Sequence, residues 1–375
     1  MKATLLAVLV AAVSAHAALF EVPMKPGEMP PAAFKRLAKK AVFEPVAADL
    51  EKGTVFVEAE KAPVGALRTV EAPKVIDQGY RTHAEVNAYL DRVVAAYPKW
   101  VLKRSIGKTA EGREIFALRM RAPGSPETGR KSVYFDALHH AREIATPDVV
   151  LDIVAELLEA ACKDPKGVEA TWLKAFDVWV VPMVNPDGSD RVWRGATMQR
   201  KNGRGVDNNR NYPPEWNVCN GSSGSPGSET YRGPSAGSEA ENQAVLRLAD
   251  EIRPVAAITY HSFSEMVLYP PGCPGRPKDA KTVELGQRIA KTLVRDSGRG
   301  TYAPGTSYDL LYPTDGDTTV ALWKRYGTLA YCVEISSSSV GFHPPHGEYR
   351  EGLLRRQRPG WRLLLEEAHR IVRGS

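Results

Sequence analysis

Between residues 80 and 372 the apolar positions alternate between a helical and a strand period. Val86, Leu90, Val93 and Val94 recur at helical spacing up to Tyr97-Pro98, and Thr82 with Glu85 forms a capping box at the start. Residues 101–106 and 115–120 read as strands joined by the turn at 107–112, and 133–138 is the next strand. A helix is expected from about Thr146, with Val149, Val150, Ile153, Leu157 and Leu158 on its apolar face. A buried strand follows at 178–184, ended by the turn signal Asn185-Pro-Asp-Gly188. Residues 188–237 carry little regular pattern, and loops of that length in a compact domain are usually functional. Beyond them come a helix at 238–252 with Ser238 and Glu241 as its capping box, a strand at 255–261 and a helix at 283–294. A strand at 327–335 and an amphipathic helix at 350–372 complete the series. The alternation predicts an α/β fold, with a mixed, largely parallel twisted sheet flanked by helices on both faces.

The first 75 residues behave differently. Residues 1–17 read as a secretory signal, with Lys2, an apolar stretch at 5–13 too short to span a bilayer, and Ala15-His16-Ala17 as the cleavage pattern. Residues 18–75 are rich in Ala, Pro, Lys and Glu, with a breaker cluster at 24–31 and room for one or two short helices at 31–50. They are expected to be a short pro-segment or N-terminal extension, because a folded unit of that size needs more apolar content. Residues 76–375 are then the catalytic domain. No later stretch is long and apolar enough to be a transmembrane helix, so the mature chain is expected to be secreted, extracellular or periplasmic, and monomeric.

Charge and cysteines narrow the field. The net charge of +6 is spread along the chain rather than gathered in a basic run, which points away from nucleic acid. Of the four cysteines, Cys219 and Cys273 sit in Gly/Pro/Ser-rich surroundings and are the favoured pair for a disulfide; Cys162 and Cys332 are expected to be free. The absence of C-x-x-C argues against a zinc ribbon or a redox motif.

Candidate chemistry gathers where strands end. The strand at 133–138 runs directly into His139-His140-Ala-Arg142-Glu143, another strand ends on His261, and Glu334 interrupts an apolar strand. Open α/β sheets place ligands at the carboxyl ends of their strands. Two histidines and a glutamate with an open fourth position form the usual ligand set of a hydrolytic zinc site. His139 competes with His140, but an extended strand turns it to the opposite face.

The ordered series Ile106-Gly-Lys-x-x-Glu-Gly-Arg113, His140-Ala-Arg-Glu143, Asn185-Pro-Asp-Gly188, Arg200-Lys201, Gly205-Val-Asp-x-Asn-Arg-Asn211, His261-Ser262, Tyr312 and Glu334 resembles the zinc metallocarboxypeptidases of the carboxypeptidase A/B type. The likeness runs from about Tyr80 to the C-terminus. It implies the metallocarboxypeptidase-like, phosphorylase/hydrolase-like fold and one zinc ion per chain, held by His140, Glu143 and His261. Glu334 matches the general base that activates the metal-bound water, and Arg200 the arginine that polarises the scissile carbonyl. Asn209 and Arg210 match the clamp on a substrate's free α-carboxylate, and Tyr312 the tyrosine that closes over the C-terminal residue. Asp207 matches the carboxylate that orients the first zinc-ligating imidazole, and Arg142 a substrate-contacting arginine. The expected substrates are peptide and protein C-termini. Rival expectations are a cell-wall peptidase acting on muropeptides with the same zinc site, and a catalytically silent binding module.

The chain also departs from that pattern. Ile-Ser-Ser-Ser-Ser follows Glu334, where the digestive enzymes carry an arginine and an aspartate. Counting on from Tyr312 to the position that sets side-chain preference lands on Thr319, with Asp315 and Asp317 within a slip of the count. Side-chain preference is therefore left open between apolar and basic residues.

Overall fold

The computed structural model describes residues 17–374, so the expected signal at 1–17 lies almost wholly outside the described residues. Residues 18–70 fold, contrary to expectation, into a small layered unit. Strands β1 (Ala18–Pro23), β2 (Glu44–Asp49), β3 (Thr54–Ala59) and β4 (Arg68–Val70) form an antiparallel sheet in the order β2-β3-β1-β4, with helix α1 (Pro30–Leu37) on it. Of the one or two short helices that 31–50 has room for, one forms, α1, and the last third of that stretch is strand β2. The unit is too small to enclose a core alone, and it completes one by borrowing from the rest of the chain. Phe20, Phe34, Val55 and Val57 pack with Met266, Leu268, Leu311 and Cys332, and Phe56 meets the ring of Phe263 edge-on at 5.1 Å. A composition count over 18–75 misses that borrowed surface.

After the exposed connector at 71–75 the second unit begins. Its elements in order are α2 (His83–Ala96), β5 (Val101–Lys108), β6 (Glu114–Met120), β7 (Ser132–Ala137), α3 (Thr146–Lys163), α4 (Val168–Ala175), β8 (Asp177–Val181) and α5 (Pro186–Trp193). Then come α6 (Ala240–Ile252), β9 (Ala256–Ser262), β10 (Met266–Leu268), α7 (Ala280–Thr292), β11 (Ala303–Gly305), α8 (Ser307–Leu310), α9 (Thr318–Tyr326), β12 (Leu329–Ile335) and α10 (Glu348–Gly374). The sheet order is β11-β10-β12-β9-β7-β8-β6-β5, parallel through its centre and antiparallel towards β5 and between β10 and β12. This is the expected mixed α/β sheet.

Strand alternation builds a core on each face. Val133, Phe135, Ile258 and Val333 point to α3, α7 and α10, where Ile153, Leu157, Ile289 and Trp361 meet them. Tyr134, Trp179, Ala257 and Ala330 point the other way, to Val245 and Leu248 of α6 and Leu322 of α9. Thr82 caps α2 with the expected capping box. Two other local expectations fail. Asn185 does not close a turn; its side chain caps α5 by accepting from Gly188 N. Ser238 makes no capping box, because its hydroxyl bonds Glu239 and helix α6 starts at Ala240. The Cys219–Cys273 disulfide is present, closing a loop of 54 residues, while Cys162 and Cys332 are free.

Three carboxylates meet where the small unit docks. Glu44 accepts from Glu229 N at 3.0 Å, and Glu58 of the same unit pairs with Arg142. Desolvation, with Glu58 and Glu229 adding to it, pushes Glu44 up to about 7, and burial and Glu58 raise Glu229 as well. A raised carboxyl pKa favours the docked state fully below the unfolded value, and that contribution is lost as pH rises through about 7. Glu44→Gln removes this titration. The variant is therefore expected to gain on the parent chain between pH 5 and pH 8, by on the order of 2–4 °C in Tm. A difference in melting temperature that does not change with pH, measured by parallel melts, refutes this role for Glu44.

Candidate active site

Parallel pairing brings the candidate residues together. Strand β9 lies between β7 and β12, so their carboxyl ends are neighbours, and His261 stands directly opposite Glu334 in the β9–β12 register. Strand β7 stops at Ala137, and Leu138 turns the chain with a left-handed φ of 59°. Leu138 O and Ala137 O accept from Asn185 N and Val184 N, while Asn185 Nδ2 donates to His139 O at 3.0 Å. The segment carrying Arg200 is pinned to the same turn by Ala141 N donating to Arg200 O at 3.1 Å. Gly188 lies in this crossing, where a Cβ would come within 2.7 Å of Ala141 Cβ and Lys201 O; only glycine fits there.

Within the turn, His140, Glu143 and His261 place their ligand atoms within 4.8 Å of one another, and all three residues are buried. His140 Nδ1 is 2.7 Å from Glu143 Oε1, His261 Nδ1 is 3.0 Å from Glu143 Oε2, and the two Nδ1 atoms are 3.1 Å apart. Desolvation and the nearby Arg200 lower His140 to about 4 and His261 to about 3, so both rings are neutral at pH 7. His140 Nε2 lies 3.1 Å from Asp207 Oδ1. With Nε2–H donating to that carboxylate, Nδ1 presents its lone pair to Glu143 and His261. With their lone pairs turned inward, as metal ligation requires, two imidazole nitrogens and a carboxylate at these distances repel one another unless a cation lies among them. The donor set thus fits a borderline dication such as zinc.

Asp207 is fully buried and shared. Its Oδ2 accepts from Arg200 Nε at 3.0 Å and Nη2 at 2.8 Å, and its Oδ1 accepts from Asn209 N at 2.9 Å. Burial opposes ionisation, but Arg200, His140 and Arg210 hold this carboxyl well below the ordinary range. Asn209 is the middle residue of a short turn of 3-10 helix, Asn208–Arg210, that Asp207 caps. Its Oδ1 accepts from Thr318 N at 2.9 Å and Thr318 Oγ1 at 3.1 Å, which leaves Nδ2 to the other side. Arg210 donates to Gly221 O and Asn209 O. Gly316 lies against its backbone so closely that a Cβ would fall 2.2 Å from Arg210 O, at a φ of 70°. Glycine is required there on both counts.

One pocket is lined by His140, Glu143, Arg200, Asn209, Arg210, Tyr312 and Glu334 together. Desolvation and the charge of Glu143 raise the Glu334 pKa well above its usual value. Cys332, two residues earlier on the same face, places its Sγ 3.8 Å from Glu334 Oε1 and lines the pocket too. Thr319 and Asp317 also reach the pocket, whereas Asp315 does not. Both Asp315 oxygens are consumed elsewhere, by the amides of Val218, Cys219 and Gly221 and the hydroxyl of Ser222.

Two expected substrate contacts are engaged by the N-terminal unit instead. Arg142 is buried, pairs with Glu58 and stacks over Phe342 at 4.3 Å. Tyr312 OH donates to Val46 O at 3.3 Å, its ring meets Phe34 edge-on at 5.9 Å, and Val46 itself lines the pocket. Sequence reasoning missed Val46 and Glu58, since nothing local marks them. It also set aside His139, which proves fully buried between Tyr212, Thr318 and His261.

Comparison with known proteins agrees with this geometry. The family model described as zinc carboxypeptidase matches residues 86–353. A metallocarboxypeptidase A-like protein of Trichophyton verrucosum (strain HKI 0517) is 35% identical over 256 residues, covering 64% of this chain and 58% of that protein. Zinc carboxypeptidase A 1 of Anopheles gambiae is 31% identical, with 68% and 60% covered. The matches thus span about three-fifths of these relatives' own lengths. Among solved structures, carboxypeptidase A from Helicoverpa armigera superposes with a TM-score of 0.74 at 21% identity, covering 94% of this chain and 97% of that one. That likeness bears on the fold.

Asp207→Asn keeps the shape of the side chain but gives up the charge that fixes the His140 tautomer. Zinc affinity, measured by equilibrium dialysis, is expected to fall by about 10–100-fold. Unchanged affinity would mean that Asp207 does not orient the ligand.

Proposed function

The chain belongs to the zinc carboxypeptidase family, and from that premise we propose that it is an exported zinc-dependent metallocarboxypeptidase that removes single C-terminal residues from peptides. Among the described residues no helix is long and apolar enough to cross a membrane. Export rests on the sequence of residues 1–17. The observation that carries the proposal is the grouping of the His140, Glu143 and His261 donors, two of which line one pocket together with Glu334, Arg200 and Arg210.

His140, Glu143 and His261 would hold the ion. Zinc, when bound, supplies a Lewis acid and brings the pKa of a coordinated water down to about 7. Glu334 takes a proton from the attacking water and delivers it to the amine that leaves when the C–N bond breaks. Burial and the charge of Glu143 disfavour its ionised form, and zinc held by the neighbouring donors would favour the carboxylate that this role needs. Arg200 stays charged and, anchored by Asp207, offers a fixed positive group to the oxygen on which negative charge builds. Asn209 Nδ2 and the Arg210 guanidinium recognise a free α-carboxylate; an internal peptide segment lacks that group. That requirement makes the activity exopeptidic.

We extend the proposal to side-chain preference and to the N-terminal unit. The pocket is walled by Leu268, Leu311, Val320 and Cys332, with Asp317 at its edge. Asp317 Oδ1 caps Val320 N at 2.8 Å, and Oδ2 takes the Thr314 hydroxyl at 3.0 Å. Burial raises its pKa, so a cation arriving beside it is favoured. Such a pocket suits an aliphatic stem, and one ending in a positive group best. Residues 18–70 act as an inhibitory cap, holding Arg142 through Glu58 and Tyr312 through Val46.

A C-terminal ladder assay on a peptide library tests these points together. Release of single residues should cease with a chelator and should rise when the connector at 71–75 is cut. Equal activity of the intact and cut chains would refute the cap. Glu334→Gln should keep one equivalent of zinc while lowering kcat by at least about 100-fold; loss of the metal would show Glu334 to be misassigned. Asp317→Asn, which can still cap α9, should lower kcat/KM for C-terminal Lys and Arg by about 10–100-fold and leave Leu within about threefold. An equal loss for Leu would remove Asp317 from specificity.

A further inference from the structure

His139 sits beside a candidate metal ligand but points away from the ion site. It is fully buried, and its ring stacks on that of His261 with centroids 5.5 Å apart and planes inclined by 23°. Its Nε2 lies 2.9 Å from Thr318 Oγ1 and 2.9 Å from Tyr212 OH. Thr318 Oγ1 donates its single proton to Asn209 Oδ1, as Thr318 N also does. With that proton committed, the Thr318 hydroxyl can only accept from His139, so the relay assigns the imidazole proton to Nε2, with Tyr212 OH as the second oxygen in its reach. The order of donation is then His139 Nε2–H to Thr318 Oγ, and Thr318 Oγ–H to Asn209 Oδ1. With its oxygen doubly occupied, the Asn209 amide cannot flip, and its Nδ2 is turned to the ion-site side, 3.4 Å from His261 Nε2.

We infer that His139 is a positioning residue which, through the Thr318 hydroxyl, locks the Asn209 amide in the orientation that binds a substrate's free carboxylate. The inference rests on the carboxypeptidase function proposed above. It assigns His139 to substrate recognition, not to metal binding or proton transfer. Loss of the relay should therefore appear in KM, with kcat and zinc content little changed.

Three single variants of the connector-cut, zinc-loaded chain, and one double variant, test it. His139→Leu removes the donor while filling much of the volume. His139→Gln can place an amide N–H near the Nε2 position. Thr318→Val removes the hydroxyl but keeps the backbone N–H and leaves the ring against His261 untouched. KM is expected to rise about 5–10-fold in His139→Leu and in Thr318→Val, with kcat within about threefold, the loss of one buried hydrogen bond. Two features separate the relay from a general packing role. His139→Gln should recover most of the loss, and the double variant His139→Leu/Thr318→Val should be no worse than either single change. An unchanged KM in Thr318→Val, additive losses in the double variant, or a fall in kcat alone would overturn the inference. Calorimetric binding of an N-acetyl amino acid and of its C-terminal amide to the cut chain reads the clamp without turnover. The parent should prefer the acid, and Thr318→Val should narrow that preference; if it does not, the inference fails whether or not the parent chain proves to be a peptidase.

Discussion

The site depends first on Asp207. A carboxylate with no exposure is stable only if its charge and lone pairs are met, and here Arg200, the His140 imidazole and the Asn209 amide meet them all at once. Each partner is thereby fixed relative to the others. The imidazole is held in one tautomer, the guanidinium in one plane, and the chain turns into Asn209-Arg210 at a set angle. The candidate ion ligand His140, the proposed oxyanion partner Arg200 and the start of the proposed carboxylate clamp thus share one support. Removing the charge would leave Arg200 buried and unpaired while releasing His140, so the cost could not be confined to one of them.

The second constraint is the sheet. Neighbouring parallel strands run the same way, so their carboxyl ends form one rim, and β7, β9 and β12 contribute His140, His261 and Glu334 to it. Residues more than a hundred positions apart in sequence become adjacent through hydrogen-bonded register. The β9–β12 pairing sets His261 opposite Glu334, so a one-residue slip would turn Glu334 to the other face of the sheet. The apolar alternation that packs Val333 and Ile335 against one core therefore also aims the Glu334 carboxylate.

This explains what was legible in the chain. The strands at 133–138, 178–184, 255–261 and 327–335 announced themselves because buried strands are continuous apolar runs, and the polar residues that end them stood out for the same reason. The capping box at Thr82 was readable because its partners are three residues apart. Ser238 and Glu241 share that spacing, but the Ser238 hydroxyl bonds Glu239 instead, and Glu241 turns inward to Asn202. Asn185 looks like a turn residue whether it closes a turn or caps a helix, since the same side-chain oxygen serves both. The three-residue strands β10 and β11 have no period to detect. The N-terminal unit was illegible because a third of its core is made of Met266, Leu268, Leu310, Leu311 and Cys332, more than two hundred residues away. His139 was dismissed by a correct argument about strand faces. What it touches on the other face, Thr318, could be found only once the helix α9 that carries it was in place.

The proposed cap and the proposed substrate compete for the same groups. Glu58 meets Arg142 with a carboxylate, and Val46 offers Tyr312 a backbone carbonyl, as a bound peptide would. None of these contacts needs to be strong. A segment tethered in the same chain faces its site at an effective concentration in the millimolar range, so weak individual contacts keep the cleft covered while the connector is whole. The mutual repulsion of Glu44, Glu58 and Glu229, offset in part by Arg142 and Lys201, sets an upper limit on that docking. A cap built this way is held by connectivity more than by affinity. Breaking the chain between 71 and 75 would turn a sufficient interaction into an insufficient one without altering any contact in the interface.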